Sequence, residues 1–193
     1  EQNHLNWYPT LGSTELRERL STFVERDASE ILVTNGSDDA LELICDTFLE
    51  PGDHVVAPSP TYTHTLVFAR ARGAEFETIE YDDPFVGDLN KILGAVRPDT
   101  KMVYLVNPNN PIPSVLNKDA MRNFVLEMSR DRLVFVDEAY HEFVDNPDYE
   151  SMMGLIAAGH KNIIVARTAS KIHGLAGMRI GFGFAHPELA EKI

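Results

Sequence analysis

Lys171 stands in a sequence context that suits a reactive amine. It follows an apolar run, IIVA (163–166), and a polar turn, and it precedes a glycine- and alanine-rich stretch that leads to Arg179. Most lysines lie on solvated surfaces, whereas a lysine held at the rim of a sheet can present its neutral amine to a carbonyl compound. The segment RTASKIHGLAGMRIGF (167–182) is therefore the first candidate for a reactive site.

Polar or reactive residues follow five apolar runs of strand length. ILVT (31–34) leads into NGSDD, HVVA (54–57) into PSPTY, KMVYLV (101–106) into NPNNP, RLVFV (132–136) into DEAY, and NIIVA (162–166) into RTASK. One such cluster is an ordinary turn, because Asn, Asp, Pro and Ser are common turn residues. Ligands of open α/β sheets bind at the carboxyl ends of the strands, so five clusters together predict a binding site.

The elements that must position these residues alternate along the chain. Two further strands are predicted at FETIEY (76–81) and RIGFGFA (179–185), and several strands are continuously apolar, as in sheets buried on both faces. Helices are predicted over 13–26, 38–50, 61–73 and 117–131. We expect Ser13 to cap the first of them and Asn117 to cap the last. The alternation predicts an α/β fold with a largely parallel sheet.

Composition narrows the classes of function. The chain has 193 residues, 44% of them hydrophobic, which suits one domain or one domain and part of another. Thirty acidic residues against 17 basic ones give a net charge of −13, which argues against nucleic acid as a partner. No apolar run approaches the roughly 20 residues that cross a bilayer. The single cysteine, Cys45, cannot form an internal disulfide, which predicts a cytoplasmic protein, and its apolar neighbours indicate core packing.

One ligand would use all of these groups: a phosphorylated aromatic aldehyde with a pyridine ring. Its phosphate would bind at a helix start, where backbone N–H groups are free, and it would also use hydroxyl groups and an arginine. The candidates for this phosphate site are Gly36, Ser37, Asp38, Asp39, Thr168, Ser170 and Arg179.

The ring and aldehyde of such a ligand also find candidates. Tyr62 could stack on the ring, and Asp137, at the end of an apolar strand, could keep the pyridine nitrogen protonated. Asn110 and Tyr140 could donate to the phenolic oxygen, and Lys171 could bond to the aldehyde.

Six motifs in a fixed order carry a family resemblance: NWYP (6–9), TNGSDDALEL (34–43), PSPTY (58–62), NPNNP (107–111), VDEAY (136–140) and RTASKIHGLAGMRIGF (167–182). Each motif is weak alone, whereas the ordered set over nearly the whole chain is specific. The sequence resembles the class I/II aminotransferases of fold type I, which depend on pyridoxal 5′-phosphate (PLP), and among them the histidinol-phosphate aminotransferases.

The resemblance implies a fold and a role for each matching residue. The fold is a three-layer αβα large domain with a seven-stranded, mostly parallel sheet and helices on both faces. Lys171 matches the lysine that forms the Schiff base with PLP and shuttles a proton. Asp137 matches the partner of the pyridine nitrogen, and Tyr140 and Asn110 match the partners of the ring oxygen. Tyr62 matches the stacked aromatic. Six residues fall on the family's phosphate-binding positions: Ser37, Asp38, Asp39, Thr168, Ser170 and Arg179.

The resemblance also implies partners and domain limits. Tyr8 matches a tyrosine that reaches the phosphate of the neighbouring subunit, which implies a homodimer. Residues 1–12 are then an N-terminal segment at the dimer interface, and residues 13–193 are the PLP-binding large domain. The smaller domain that follows in longer members, with the arginine that binds the substrate carboxylate, has no counterpart here.

The implied reaction moves an amino group between an amino acid, or an amino-alcohol phosphate, and a 2-oxo acid. Two alternatives stay open: another fold type I PLP enzyme (a decarboxylase, lyase or oxidase), and a catalytically incomplete fragment that keeps the fold. Pro113 departs from the family pattern, which has glycine there, and this bears on substrate choice. We expect no metal site, because a strand end would point Asp137, Glu138, His141 and Glu142 to different sides.

Overall fold

A single seven-stranded sheet organises the part of the chain that the computed structural model describes, which is residues 6–8, 10–83 and 85–193. The strands are β1 (Ile31–Thr34), β2 (His54–Ser59), β3 (Glu75–Glu80), β4 (Thr100–Val106), β5 (Leu133–Asp137), β6 (Ile163–Thr168) and β7 (Gly181–Ala185). Their order across the sheet is β1-β7-β6-β5-β4-β2-β3. Strand β7 runs opposite to the other six described strands and is antiparallel to both of its neighbours, β1 and β6, whereas the remaining pairs are parallel. This confirms the mostly parallel sheet.

Seven α-helices are present among the described residues: α1 (Thr14–Val24), α2 (Ser37–Phe48), α3 (His64–Ala71), α4 (Leu89–Ala95), α5 (Lys118–Met128), α6 (Met153–Ala157) and α7 (Pro187–Ala190). Short 3-10 helices lie at Leu11–Ser13, Ala28–Glu30, His141–Phe143 and Ala176–Met178. The four predicted helices are confirmed as α1, α2, α3 and α5. Helices α4 and α6 have 7 and 5 residues, too few for a periodic pattern to stand out. No helix among the described residues is long and apolar enough to span a bilayer.

Two apolar cores, one on each face of the sheet, make the fold three-layered. In β4, Val103 and Leu105 belong to one core, whereas Met102 and Tyr104 belong to the other. Side chains alternate between the faces of a strand, so a strand buried on both faces reads as a continuous apolar run. The first core includes residues of α1, α4, α5 and α6, and the second includes residues of α2, α3 and α7. The predicted three-layer arrangement is confirmed.

The predicted helix caps had different outcomes. Asn117 caps α5 as expected, because its side-chain oxygen accepts hydrogen bonds from the N–H groups of Asp119 (3.1 Å) and Ala120 (3.2 Å). The prediction for Ser13 is wrong: its φ of 50° is left-handed and its side chain makes no cap hydrogen bond. A capping side chain needs an extended backbone to reach back to the first turn, and a left-handed residue points it elsewhere.

The strand predicted to begin at Arg179 begins instead at Gly181. Arg179 follows the 3-10 helix Ala176–Met178 and has a left-handed φ of 52°, which a strand residue does not adopt. Since β7 is antiparallel to β1 and β6, the start of β7 lies at the same sheet edge as the carboxyl ends of those two strands. The topology thereby brings Arg179 to the edge where the five polar segments meet.

Candidate active site

The polar segments converge on one cavity of about 140 Å³, named here the strand-edge cavity. Ten of the predicted site residues line it: Ser37, Asp38, Tyr62, Asn110, Asp137, Tyr140, Thr168, Ser170, Lys171 and Arg179. They lie at or just after the carboxyl ends of β1, β2, β4, β5 and β6, or just before β7. The tertiary structure therefore brings together residues that are as far apart as 37 and 179 in the sequence.

One end of the strand-edge cavity carries groups that suit an anion. Helix α2 begins there at Ser37. The N-cap residue, Gly36, has no side chain that could cap the helix, so the first N–H groups of the helix remain available. The Arg179 guanidinium lies against Gly36, since a Cβ added to Gly36 would be 2.2 Å from Nη2 of Arg179. Thr168 and Ser170 add hydroxyl groups, whose oxygens are 3.0 Å apart. A helix start, a guanidinium and two hydroxyls suit a phosphate group.

The backbone around Arg179 is held in an unfavourable conformation. A left-handed conformation costs a residue with a side chain about 1–2 kcal/mol, and Arg179 adopts it while Nη1 donates to the carbonyl of Ala176 at 3.1 Å. Gly181 packs directly on the loop before α2, because a Cβ there would be 2.3 Å from the carbonyl carbon of Gly36. Strained residues that the surroundings hold in place are concentrated at functional sites.

The floor of the cavity carries a buried carboxylate. Asp137 is 3% exposed, its Oδ1 accepts from the N–H of Ala139 at 3.0 Å, and its Oδ2 accepts from the Tyr104 hydroxyl at 3.4 Å. Burial raises the pKa of Asp137 to about 6, with smaller upward contributions from Asp38 and Glu138. A cationic ligand group beside this carboxylate would offset the cost of its burial.

The Lys171 amine, the candidate reactive group, lies at the exposed side of the cavity. Lys171 is exposed, and its Nζ is 5.2 Å from the centre of the Tyr140 ring, within the range of a cation–π contact. Tyr140 and Asn110 also line a neighbouring cavity of about 330 Å³, whose other walls include Pro113 and Phe143. Pro113 therefore lies beside the strand-edge cavity rather than in its lining.

Tyr62 is fixed by its hydroxyl group. The hydroxyl donates to Oδ1 of Asp38 at 2.8 Å and lies 2.9 Å from Nδ1 of His64. Burial, followed by the hydrogen bond to Asp38, raises the pKa of Tyr62, so the phenol stays neutral. His64 was not predicted as part of the site, because a lone histidine at the start of a helix gives no specific signal.

Three predicted residues lie outside the lining of the cavity. Gly36 borders it through Arg179, as described above. Asp39 faces the preceding turn, where its Oδ2 accepts from the N–H of Asn35 at 2.7 Å. Tyr8 is 99% exposed, and Pro9 of the NWYP motif lies outside the described residues, as do residues 1–5.

Several residues around the cavity carry no functional signal in the sequence. The lining also includes Val106, Ala139 and Ala176, which are apolar and carry no chemistry of their own. Tyr104, which donates to Asp137, is fully buried within β4, and in the sequence it reads as one more apolar strand residue. Such partners are set by packing in three dimensions.

The alternative chemistries can be compared with the geometry. The Glu138 carboxylate binds Arg167 and Ser151, whereas Asp137 lines the strand-edge cavity, so the two do not form one metal site. Within the described ranges, one group of possible metal ligands has its atoms within 4.8 Å of one another: His54, Glu75 and Glu77. It lies at the amino ends of β2 and β3, at the opposite edge of the sheet.

Fold and site together define an open α/β sheet protein with a candidate ligand site at the carboxyl ends of its strands. The family model "Aminotransferase class I and II" matches residues 1–193. The chain therefore belongs to the class I and II aminotransferase family.

Individual relatives agree with this assignment. The chain is 32% identical over 186 residues to a histidinol-phosphate aminotransferase of Moorella thermoacetica, covering 96% of this chain and 48% of that protein. It is 39% identical over 188 residues to one of Methanosarcina mazei, covering 97% and 49%. The crystal structure of histidinol-phosphate aminotransferase from Sinorhizobium meliloti in complex with pyridoxal-5′-phosphate superposes with a TM-score of 0.91 at 28% identity, covering 98% of this chain and 51% of that one. The chain thus spans about half the length of the relatives it matches.

Proposed function

We propose that these residues form the PLP-binding part of an aminotransferase that moves an amino group between an amino acid, or an amino-alcohol phosphate, and a 2-oxo acid. The observation that carries this proposal is the convergence of an amine, a buried carboxylate and an anion site on one cavity, from Lys171, Asp137 and Arg179. The family supports the same cofactor, since the relative from Sinorhizobium meliloti was crystallised with it.

The residues present fit PLP. The start of α2, the Arg179 guanidinium and the hydroxyls of Thr168 and Ser170 would hold its phosphate. A side chain at position 36 would displace the Arg179 guanidinium, since a Cβ there would be 2.2 Å from Nη2, and the φ of 84° at Gly36 also favours glycine. Asp137, whose burial raises its pKa to about 6, would be partnered by the protonated ring nitrogen, and Tyr62 would flank the ring.

Each protein group then has one task in the reaction. PLP, when bound, supplies an electron sink for the pair of electrons left at the substrate Cα. Lys171 would bind it covalently through Nζ, and the same Nζ, when free, would remove and return a proton at the substrate Cα. Asp137 would keep the ring nitrogen protonated. Tyr140 and Asn110 would donate to the ring oxygen.

The cofactor assignment has a direct test. The natural full-length polypeptide that contains these residues is mixed with PLP, its visible spectrum is recorded, and the bound PLP is reduced with borohydride before the peptides are mapped. We expect a visible band and a label on Lys171, both lost in K171A. A full-length protein that shows neither band nor label would overturn the assignment.

The reaction type needs a separate test. Aminotransferases and other fold type I enzymes share the groups described here, so product analysis with pyruvate or 2-oxoglutarate as acceptor distinguishes them. We expect the amino group to appear on alanine or glutamate. Release of carbon dioxide, ammonia or hydrogen peroxide without such a product would instead indicate a decarboxylase, lyase or oxidase.

The assembly follows from the same proposal. Residues 1–12 would lie at the interface of a homodimer and residues 13–193 would form the cofactor-binding domain, although residues 1–5 and 9 lie outside the described part. Tyr8, with 99% of its surface exposed, would reach the phosphate of the neighbouring subunit. A small-molecule amino donor, a 2-oxo acid acceptor and a cytoplasmic location complete the proposal.

A further inference from the structure

A buried ion pair lies directly behind the strand-edge cavity. Arg167 donates to Oε2 of Glu138 from Nη2 (2.9 Å) and from Nε (3.2 Å), and the two side chains are 13% and 1% exposed. Neither residue lines the cavity. Each is next to a residue that does: Glu138 follows Asp137, and Arg167 precedes Thr168.

The pair is embedded in a closed set of hydrogen bonds. The Ser151 hydroxyl donates to Oε2 of Glu138 at 2.7 Å and accepts from Nη2 of Arg167 at 2.8 Å. Oε1 of Glu138 accepts from the N–H of Met152 at 2.8 Å. Both carboxylate oxygens are therefore satisfied by donors from two other chain segments, which gives this buried charge a single favourable orientation.

Arg167 is the cation that balances Glu138. His141 is also near, with Nδ1 4.0 Å from Oε2 of Glu138, but burial and the neighbouring Arg167 lower the pKa of His141 to about 4. His141 is thus neutral near pH 7. Desolvation raises the pKa of Glu138, while Arg167 opposes that shift.

The ion pair connects the bases of two walls of the cavity, at the end of the paired region of β5 and β6. The β5 wall is residues 137–140 and the β6 wall is residues 168–171. The last paired positions of the two strands are Asp137 and Ala166, and the Glu138 N–H donates to the Ala166 carbonyl at 2.8 Å. The Glu138–Arg167 pair is a side-chain contact at the base of the two walls, and further out the Lys171 Nζ lies 5.2 Å from the centre of the Tyr140 ring.

We propose that Glu138 and Arg167 are positioning residues, whose buried ion pair fixes the two walls of the cavity against each other. A buried ion pair contributes little net stability compared with apolar residues of the same size, so its value here is geometric. It sets the distance between the carboxylate on the β5 wall and the amine on the β6 wall. This inference rests on the proposed function, because the geometry matters only if both walls hold one ligand.

The test compares E138Q with E30Q in the full-length polypeptide. Glutamine keeps the size of Glu138 and can still accept from Met152, but it removes the charge that faces Arg167. Glu30 is a matched control, because it is 7% exposed and its carboxylate accepts from Nε and Nη2 of Arg26 at 2.9 and 2.8 Å, away from the cavity. Borohydride labelling of Lys171 counts the loaded sites, and visible circular dichroism per loaded site reports the orientation of bound PLP.

We expect E138Q to load PLP, with the circular dichroism per loaded site changed by about twofold or more. We also expect its kcat to fall by roughly tenfold or more with little change in KM, since small misplacements of reacting groups have large kinetic effects. E30Q should lower the Tm and leave both values per loaded site unchanged. R167Q should lose part of the circular dichroism signal per loaded site, and R167K, which keeps the positive charge, should recover part of that loss.

Three outcomes decide the matter. If E138Q matches E30Q in circular dichroism and kcat per loaded site, the ion pair is merely structural and the inference fails while the proposed function stands. If the unmutated protein does not load PLP, both fail together. If E138Q does not fold, S151A is the test variant, because it removes only the hydroxyl that bridges the ion pair. Unchanged circular dichroism per loaded site in S151A would then contradict the inference.

Discussion

At the scale of single residues, Asp137 shows how a site can oppose stability. Its carboxylate is buried without a cation, and the desolvation raises its pKa to about 6. The folded protein without PLP therefore holds a proton at Asp137 more tightly than the unfolded chain does. The stabilisation from this group is fully present below about pH 4 and is lost as the pH rises through about 6.

D137N removes this titration, which gives a prediction for the PLP-free protein. Relative to the unmutated protein, D137N should gain stability as the pH is raised from 4 to 7, on the order of 2 kcal/mol or several degrees in Tm. Thermal unfolding at a series of pH values measures the difference. D145N, at an exposed loop position, is the control and should show no such trend. If the difference in stability between D137N and the unmutated protein were also independent of pH, Asp137 would not be desolvated as described.

Cys45 gives a second prediction at the scale of single residues. It is fully buried in the core on one face of the sheet, and burial raises the pKa of its thiol to about 12. Since only the thiolate reacts, a disulfide reagent such as DTNB should label the folded protein negligibly and the denatured protein at one thiol per chain. Fast labelling under native conditions would contradict the buried placement.

At the scale of elements, the site depends on how closely the start of β7 packs on the loop before α2. A Cβ on Gly181 would lie 2.3 to 2.5 Å from three backbone atoms of Gly36 and Ser37, whereas a Cβ on Gly183 would meet only the Leu32 side chain at 3.2 Å. Backbone atoms in a sheet and a helix start cannot move aside easily, but a leucine side chain can change its rotamer.

G181A and G183A form a matched pair in the same strand. Overpacking costs about 1–3 kcal/mol, and we expect G181A to be near or above the upper limit and G183A near the lower one. In a chain of this size each kcal/mol corresponds to about 2–4 °C, so thermal unfolding separates the two. G181A should also weaken binding of inorganic phosphate, because it displaces the anion site. Equal Tm values would contradict the close contact.

The limits of these elements were predicted with uneven success. Strand β1 was predicted at its observed bounds, and the cap at Asn117 was confirmed. The strand start at Arg179 and the cap at Ser13 were wrong because both residues are left-handed. Left-handed backbone at a residue other than glycine is imposed by the surrounding structure, and the sequence pattern carries no sign of it.

At the scale of the whole molecule, the proposed sharing of active sites between two subunits gives a prediction about mixed subunits. In a homodimer where Tyr8 serves the neighbouring site, a dimer of one Y8A and one K171A subunit has one site with both residues intact. Unfolding and refolding an equal mixture of the two full-length variants should then restore activity in about a quarter of the sites. The two variants separately are the controls, with K171A inactive and Y8A impaired. No gain on mixing would show that Tyr8 serves its own subunit or none.

The sequence by itself determined the class of fold and the chemical types of the site residues. Continuous apolar runs mark strands buried on both faces, and the residues after them must lie at the strand ends, so Asp137, Asn110 and Lys171 could be placed from sequence order alone. The tertiary structure decided which groups are partners. Tyr104 under Asp137, Arg179 over Gly36 and Arg167 against Glu138 are contacts between separate elements. They depend on strand order and on the reversed direction of β7, which no local pattern encodes, because pairing across a sheet is set by the packing of the whole core.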